Sequence, residues 1–261
     1  MCFIAIALRS HPKFPFVVAA NRDELHNRAA DPLHLWPTAV PFAAGTDRTA
    51  GGTWLGLSTH GHFAALTNCR GDGRSSKPGL RSRGTLVKDY LLQDSGLLAS
   101  LEDGALVKDP DFGGFNLVVG TAQRLQLLSN IGPNVGPFES GIRVISNHPL
   151  SLSWPKTLVG KRRFTDILDM QAGSEKLTRC LFDFLQEKNP VTNNPDLESR
   201  DDLASQIQRT IFVTGETYGT RASTVILLDT HGRASITEKT FAPGGVLVST
   251  QTVRFKLEKG N

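Results

Sequence analysis

No stretch of this sequence approaches 18 consecutive apolar residues, so nothing in it reads as a membrane-spanning helix. The opening segment is apolar only as far as Leu8 and carries no basic residues ahead of that run, unlike a secretory signal. Cysteine is scarce: Cys2, Cys69 and Cys180 are odd in number, far apart, and form no Cys-x-x-Cys pair. That excludes a disulfide framework and a cysteine zinc site, and suits a reducing, cytoplasmic setting. None of the histidines falls in a metal-binding spacing with carboxylates. Charge of one sign is also lacking, with 29 basic against 25 acidic residues, a net charge of +4 and a pI near 9.1. Two basic clusters, at 70–83 and 161–163, are not interleaved with aromatics, as a base-stacking surface requires. Nucleic acid is therefore not an expected partner. There is no repeat, low-complexity tract or linker, so residues 1–261 are expected to form one domain.

What is present is an ordinary globular composition, 39% hydrophobic and 21% charged. Short apolar runs predict strands at 2–8 and 16–20, and a hairpin about His60-Gly61 joining 51–58 to 62–67. Helical spacing is expected from Arg83 to Gln93, from Leu97 to about Leu106, and over 154–186 with a break near Gly173. Strands are expected at 115–119, 125–129, 142–146, 210–213, 224–229, 234–240 and 246–257, and a loop at 189–202. This order, with hairpin connections, predicts an α+β layered fold built on mainly antiparallel sheets.

Cys2 follows the initiator methionine directly. Aminopeptidases remove a methionine that precedes a small residue, and the thiol and α-amine would then share one residue. An α-amine titrates near neutrality and can serve as base for its own thiol, whereas with Met1 in place that nitrogen is an amide. A cysteine also starts a buried strand well as a small apolar residue. The acidic and basic tetrad Asn21-Arg22-Asp23-Glu24 closes the second strand. Asp23 is placed to orient the Cys2 amine, although a turn with local side-chain bonding also accounts for the tetrad. The glycines about Trp54 suit close backbone approach, with Trp54 as core or ligand contact. Gly71 and Gly73 suggest a loop beside Asn68 that acts as a lid. His60 and His62 flank a turn and read as solvated there.

Met-Cys, Asn21-Arg22-Asp23-Glu24 and Gly51-Gly52-Thr53-Trp54-Leu55-Gly56 together resemble the NRDE family of transport and Golgi organisation proteins. Further matches run through Gly114-Phe115-Asn116-Leu117, Ser146-Asn147, Trp154-Pro155-Lys156 and 218–224. The resemblance implies the N-terminal nucleophile (Ntn) hydrolase fold, a four-layer αββα sandwich. More distantly, the chain is similar to cysteine Ntn amidases. That likeness implies catalytic roles for Cys2, Asp23, Asn68, Asn147 and Arg221, with Asn21, Arg22, Trp54 and His148 as ligand contacts and no metal. The arginine that precedes Asn-x-Asp in those amidases is replaced by Ala20.

Two functions follow from the resemblance. One is hydrolysis of an amide or related acyl bond through a Cys2 thioester, with Asn68 and Asn147 as oxyanion donors and no cofactor required. The other is non-catalytic carriage of a hydrophobic anion such as haem or an acyl-CoA, which is the family's link to haem trafficking.

Overall fold

The computed structural model describes residues 2–69, 79–191 and 203–258. Its first two strands, β1 (Cys2–Leu8) and β2 (Phe16–Leu25), form an antiparallel hairpin that sets Cys2 opposite Arg22 and Leu8 opposite Phe16. Both lie inside a six-stranded sheet covered on both faces, which is why their sequences are apolar runs and not alternating ones. Alternation survives as direction. Ile4, Ile6, Leu8, Phe16, Val18 and Ala20 enter a core between two sheets, while Phe3, Ala5, Ala7, Val17 and Ala19 enter a core beneath helices.

The first sheet runs β10-β1-β2-β11-β12-β13, adding β10 (Gly141–Ile145), β11 (Tyr218–Leu228), β12 (Arg233–Ala242) and β13 (Val246–Lys256). The second runs in sequence order: β3 (Ala30–Trp36), β4 (Phe42–Asp47), β5 (Leu55–Ser58), β6 (His62–Asn68), β7 (Phe115–Thr121), β8 (Leu125–Ser129) and β9 (Val135–Phe138). Neighbouring strands pair antiparallel throughout both sheets.

Helices α1 (Gly84–Leu91) and α2 (Ser95–Glu102) cover the second sheet through Leu86, Val87, Leu91 and Leu97. On the first sheet, α3 (Pro155–Asp169) and α4 (Ser174–Leu185) bury Phe164, Leu168, Leu177, Leu181 and Phe184. A fifth helix, α5 (Leu203–Arg209), packs beside α3. The layers are thus α, β, β, α, the sandwich that the resemblance implies. Helix α3 starts at Pro155, whose fixed φ suits the first helical position. It approaches β1 so closely that a Cβ on Gly160 would sit 2.7 Å from the Phe3 ring. That contact fixes the start of α3 against the start of β1.

Most expected elements form within a few residues of their predicted bounds. Segment 210–213 does not become a strand: Phe212 N–H donates to the Glu187 carbonyl and Val213 N–H to the Thr220 hydroxyl, so its backbone is satisfied outside a ladder. β3, β4 and β9 were not expected. β3 and β9 are the two edges of their sheet and carry Pro32 and Pro137, tolerated where one side of the strand needs no partner.

Candidate active site

The register of β1 and β2 decides which side chains meet. Cys2 and Arg22 point toward the space between the sheets, and Asn21 and Asp23 toward the helical layer. Cys2 is buried, 7% exposed, and burial pushes its thiol up. The Arg22 charge and, more weakly, the Asp23 main chain favour the thiolate.

The main chain of Cys2 is clamped on both sides by the segment that follows β10. Cys2 N–H donates to Asn147 Oδ1 at 2.5 Å, and the Ser146 hydroxyl donates to the Cys2 carbonyl at 2.7 Å. Asn147 Nδ2 in turn donates to the main-chain carbonyl of Asn68 at 2.6 Å, tying the clamp to β6 in the other sheet. Behind it, the buried Asn116 amide donates to the Ser146 and His148 carbonyls at 3.1 and 2.9 Å, and the Thr67 hydroxyl to the Ser146 carbonyl at 2.8 Å. With its oxygen on the Cys2 nitrogen and its Nδ2 on the Asn68 carbonyl, the Asn147 amide joins the start of β1 to the end of β6.

Cys2 lies at one wall of a cavity of about 490 Å³. Asn68, Trp54 and four arginines (Arg22, Arg28, Arg81 and Arg83) also line it, opposed by Asp23, Glu24 and Asp47. Arg22 lies 4.3 Å over the Trp54 ring and pairs with Asp47 at 3.3 Å, while Arg28 Nε meets the same carboxylate at 2.7 Å. Asp47 therefore fixes two guanidinium groups. The Trp54 ring needs Gly45 beneath it, since a Cβ there would fall 2.4 Å from the indole. Arg81 stacks 4.6 Å over Phe112, and Arg83 donates to the Gly114 carbonyl at 2.9 Å.

On the other face of the hairpin, Asp23 is 1% exposed and its Oδ1 accepts from the Thr220 hydroxyl at 2.7 Å. Burial raises the carboxyl and the Lys156 ammonium is the strongest influence opposing it. Lys156 belongs to the first turn of α3 and is completely buried.

The structure thus brings Cys2, Asp23, Asn68, Asn147, Arg22 and Trp54 together. Three other expected residues lie elsewhere. Arg221 does not line the cavity; its guanidinium donates to the Leu25 and Arg28 carbonyls at 3.0 and 2.8 Å, bracing the end of β2. Asn21 faces the helices, donating to the Leu185 and Ile211 carbonyls at 2.8 and 2.9 Å and accepting from Ser223 at 2.6 Å. His148 is buried behind the clamp, its ring 5.0 Å from that of Trp154. The expected lid glycines, Gly71 and Gly73, lie outside the described residues.

Sequence reasoning missed Ser146, Asn116, Asp47, Thr220 and Lys156 as parts of the site. For Lys156 a signal existed: a lysine directly after the Pro that opens a helix sits against the positive end of the helix dipole, so something else must hold it there. Among the described residues no three His, Cys, Asp or Glu side chains gather as a metal site, and no helix is long and apolar enough to cross a membrane.

Comparison with known proteins agrees with the resemblance. The family described as Transport and Golgi organisation 2 matches residues 1–243. The Transport and Golgi organization 2 homolog of Mus musculus is 29% identical over 262 residues, covering 92% of each chain. The Bos taurus homolog is 30% identical over 263 residues, again covering 92% of each. Among solved structures the chain is similar to a conjugated bile acid hydrolase from Clostridium perfringens, at 10% identity and a TM-score of 0.49, over 100% of this chain and 94% of that one.

Proposed function

The chain belongs to the Transport and Golgi organisation 2 family, and on that premise we propose that Cys2 is a nucleophile toward an amide or related acyl bond. The observation that carries this reading is the clamp: a thiol at the wall of a cavity, with its own nitrogen held by Asn147. Once Met1 is removed, the Cys2 α-amine takes the thiol proton and the sulphur attacks the acyl carbon. The carbonyl π electrons move to oxygen, and the Asn68 side chain, on the cavity wall, is the donor for that oxyanion. Collapse of the tetrahedral adduct expels the amine, which leaves with the proton held by the α-amine. Water then hydrolyses the thioester, releasing the acid and restoring the thiol. The four arginines suit a substrate bearing a carboxylate, phosphate or sulfonate at a distance from the scissile bond.

The test is intact-protein mass spectrometry of chain purified from its native cells, before and after an activated acyl amide. A Cys2-acyl adduct on a chain lacking Met1, abolished by Cys2→Ala, supports the reading; an undiminished adduct in Cys2→Ala overturns it. A second reading, carriage of haem or an acyl-CoA in the same cavity without turnover, draws on the same arginines. No histidine lines the cavity among the described residues, so Cys2 is the iron ligand it offers. A haem titration with a saturable Soret shift lost in Cys2→Ala, and no acyl adduct, would favour carriage.

A further inference from the structure

Lys156 is 0% exposed, and its Nζ finds no hydrogen-bond acceptor among the described residues. Its only close ring contact there is Trp154, with Nζ 5.7 Å from the centroid. An ammonium in that state is costly to bury, so lysines occur this deep only with a charge to answer or a task to perform. Its place in α3 makes matters worse, because the second residue of a helix faces the positive end of the dipole. A purely structural side chain here would be apolar.

What brings Lys156 to this position is the packing of α3 on β1, sealed by Gly160 against the Phe3 ring. The first turn of α3 is thereby laid against the helix-facing side of the β1–β2 hairpin, the side onto which Asp23 points. We infer that Lys156 is a positioning residue of the Cys2 site, the buried cation on which the Asp23 carboxylate depends. The inference rests on the reading of Cys2 as nucleophile and adds to it the source of the charge balance beneath it.

The electrostatics run the same way from both partners. Of the influences that favour ionised Asp23, Lys156 is the strongest, ahead of the amino-terminal charge and the Thr220 hydroxyl; Glu24 opposes it. For Lys156, burial disfavours the charged form, and Asp23 first and then Cys2 restore it. His148, in the loop before α3, is the other titratable neighbour; burial lowers it and Lys156 lowers it further. Lys156 Nζ makes no hydrogen bond among the described residues, so the cation acts on Asp23 through the low-dielectric interior while Asp23 accepts from Thr220. Lys156 is thus coupled electrostatically to both Asp23 and Cys2, to Asp23 more strongly.

The experiment is a ¹³C-carboxyl aspartate NMR titration of the full chain, with Asp23 assigned from Asp23→Asn. In Lys156→Met the Asp23 midpoint is expected to move upward, and in Lys156→Arg, which keeps the charge, to stay near that of wild type. The acid limb of the Cys2 acylation rate should move upward with it in Lys156→Met. An unmoved Asp23 midpoint in folded Lys156→Met overturns the inference, as does a Lys156→Arg midpoint equal to that of Lys156→Met. If Lys156→Met does not fold, the double variant Asp23→Asn/Lys156→Met removes both charges and should fold. Failure of the double variant while Asp23→Asn alone folds also overturns the inference. Because the titration requires no substrate, a moved midpoint without any acyl adduct would uphold the pair while rejecting the hydrolase reading.

Discussion

Glu238 offers a sharp check on how this interior handles charge. It follows Ala234 and Ile236 on the inter-sheet face of β12 and is 2% exposed. Leu33 N–H from β3 donates to one oxygen at 2.8 Å and the Thr224 hydroxyl to the other at 3.1 Å, so the carboxyl joins the two sheets. Those donors, with Arg22, favour the anion, yet burial outweighs them and lifts the group from 4.5 to about 7. The native state therefore holds this proton more tightly than the unfolded chain. Its stabilising contribution is complete below about pH 4.5 and disappears as pH rises through about 7. A shift of about 2.5 units at 1.36 kcal/mol each corresponds to about 3 kcal/mol. Glu238→Gln keeps the shape, has no proton to lose, and should remove this dependence. Urea unfolding of wild type and Glu238→Gln at half-unit steps from pH 4 to 8.5 gives the difference curve, in which every other titrating group cancels. We expect the variant to gain on wild type by about 3 kcal/mol across that window. A difference that stays flat, or one that grows in favour of wild type as pH rises, refutes the reasoning.

Asn147→Ala removes the partner of the Cys2 nitrogen and leaves the Asn68 carbonyl unanswered; the acylation rate should fall by roughly 10²-fold or more, read by stopped mass spectrometry. Gly160→Ala drives a methyl into the Phe3 ring and should destabilise the fold by about 1–3 kcal/mol, seen as a lower Tm. Asp47→Ala releases both Arg22 and Arg28 and should cost about 1–3 kcal/mol in urea unfolding while weakening any anionic substrate, with KM rising more than kcat falls. Thr220→Val takes the hydroxyl from Asp23 and should move the Asp23 titration midpoint upward, in the same direction as Lys156→Met.

Much of this architecture could be read from the chain. Apolar runs at β1, β2 and β7 and helical spacing in α1, α3 and α4 are strong local signals, and their order already implied layered antiparallel sheets. Edge strands with proline, such as β3 and β9, give no such signal because half their hydrogen-bonding face is unused. The grouping of Cys2 with the Asn21–Glu24 tetrad was legible, since the β1–β2 register sets Cys2 opposite Arg22 and the cavity takes in Arg22, Asp23 and Glu24. The site was not legible for Arg221 and Asn21, because a side chain's target depends on which face of a strand it takes, and the bulge between Thr220 and Ala222 shifts the register of β11 there. For Lys156 the sequence signals a lysine out of place at a helix start but not what it faces, because no spacing rule connects α3 to β2.

The bond from Cys2 to Asn147 spans 145 positions of sequence. At synthesis rates of roughly 5–20 residues per second, about 7–30 s separate the emergence of one partner from that of the other. For that interval the Cys2 nitrogen has no clamp. Once Asn147 arrives and β1 is enclosed, Cys2 is buried and its nitrogen is held. The order in which the chain emerges thus leaves the Cys2 nitrogen without its partner until more than half of the sequence has been made.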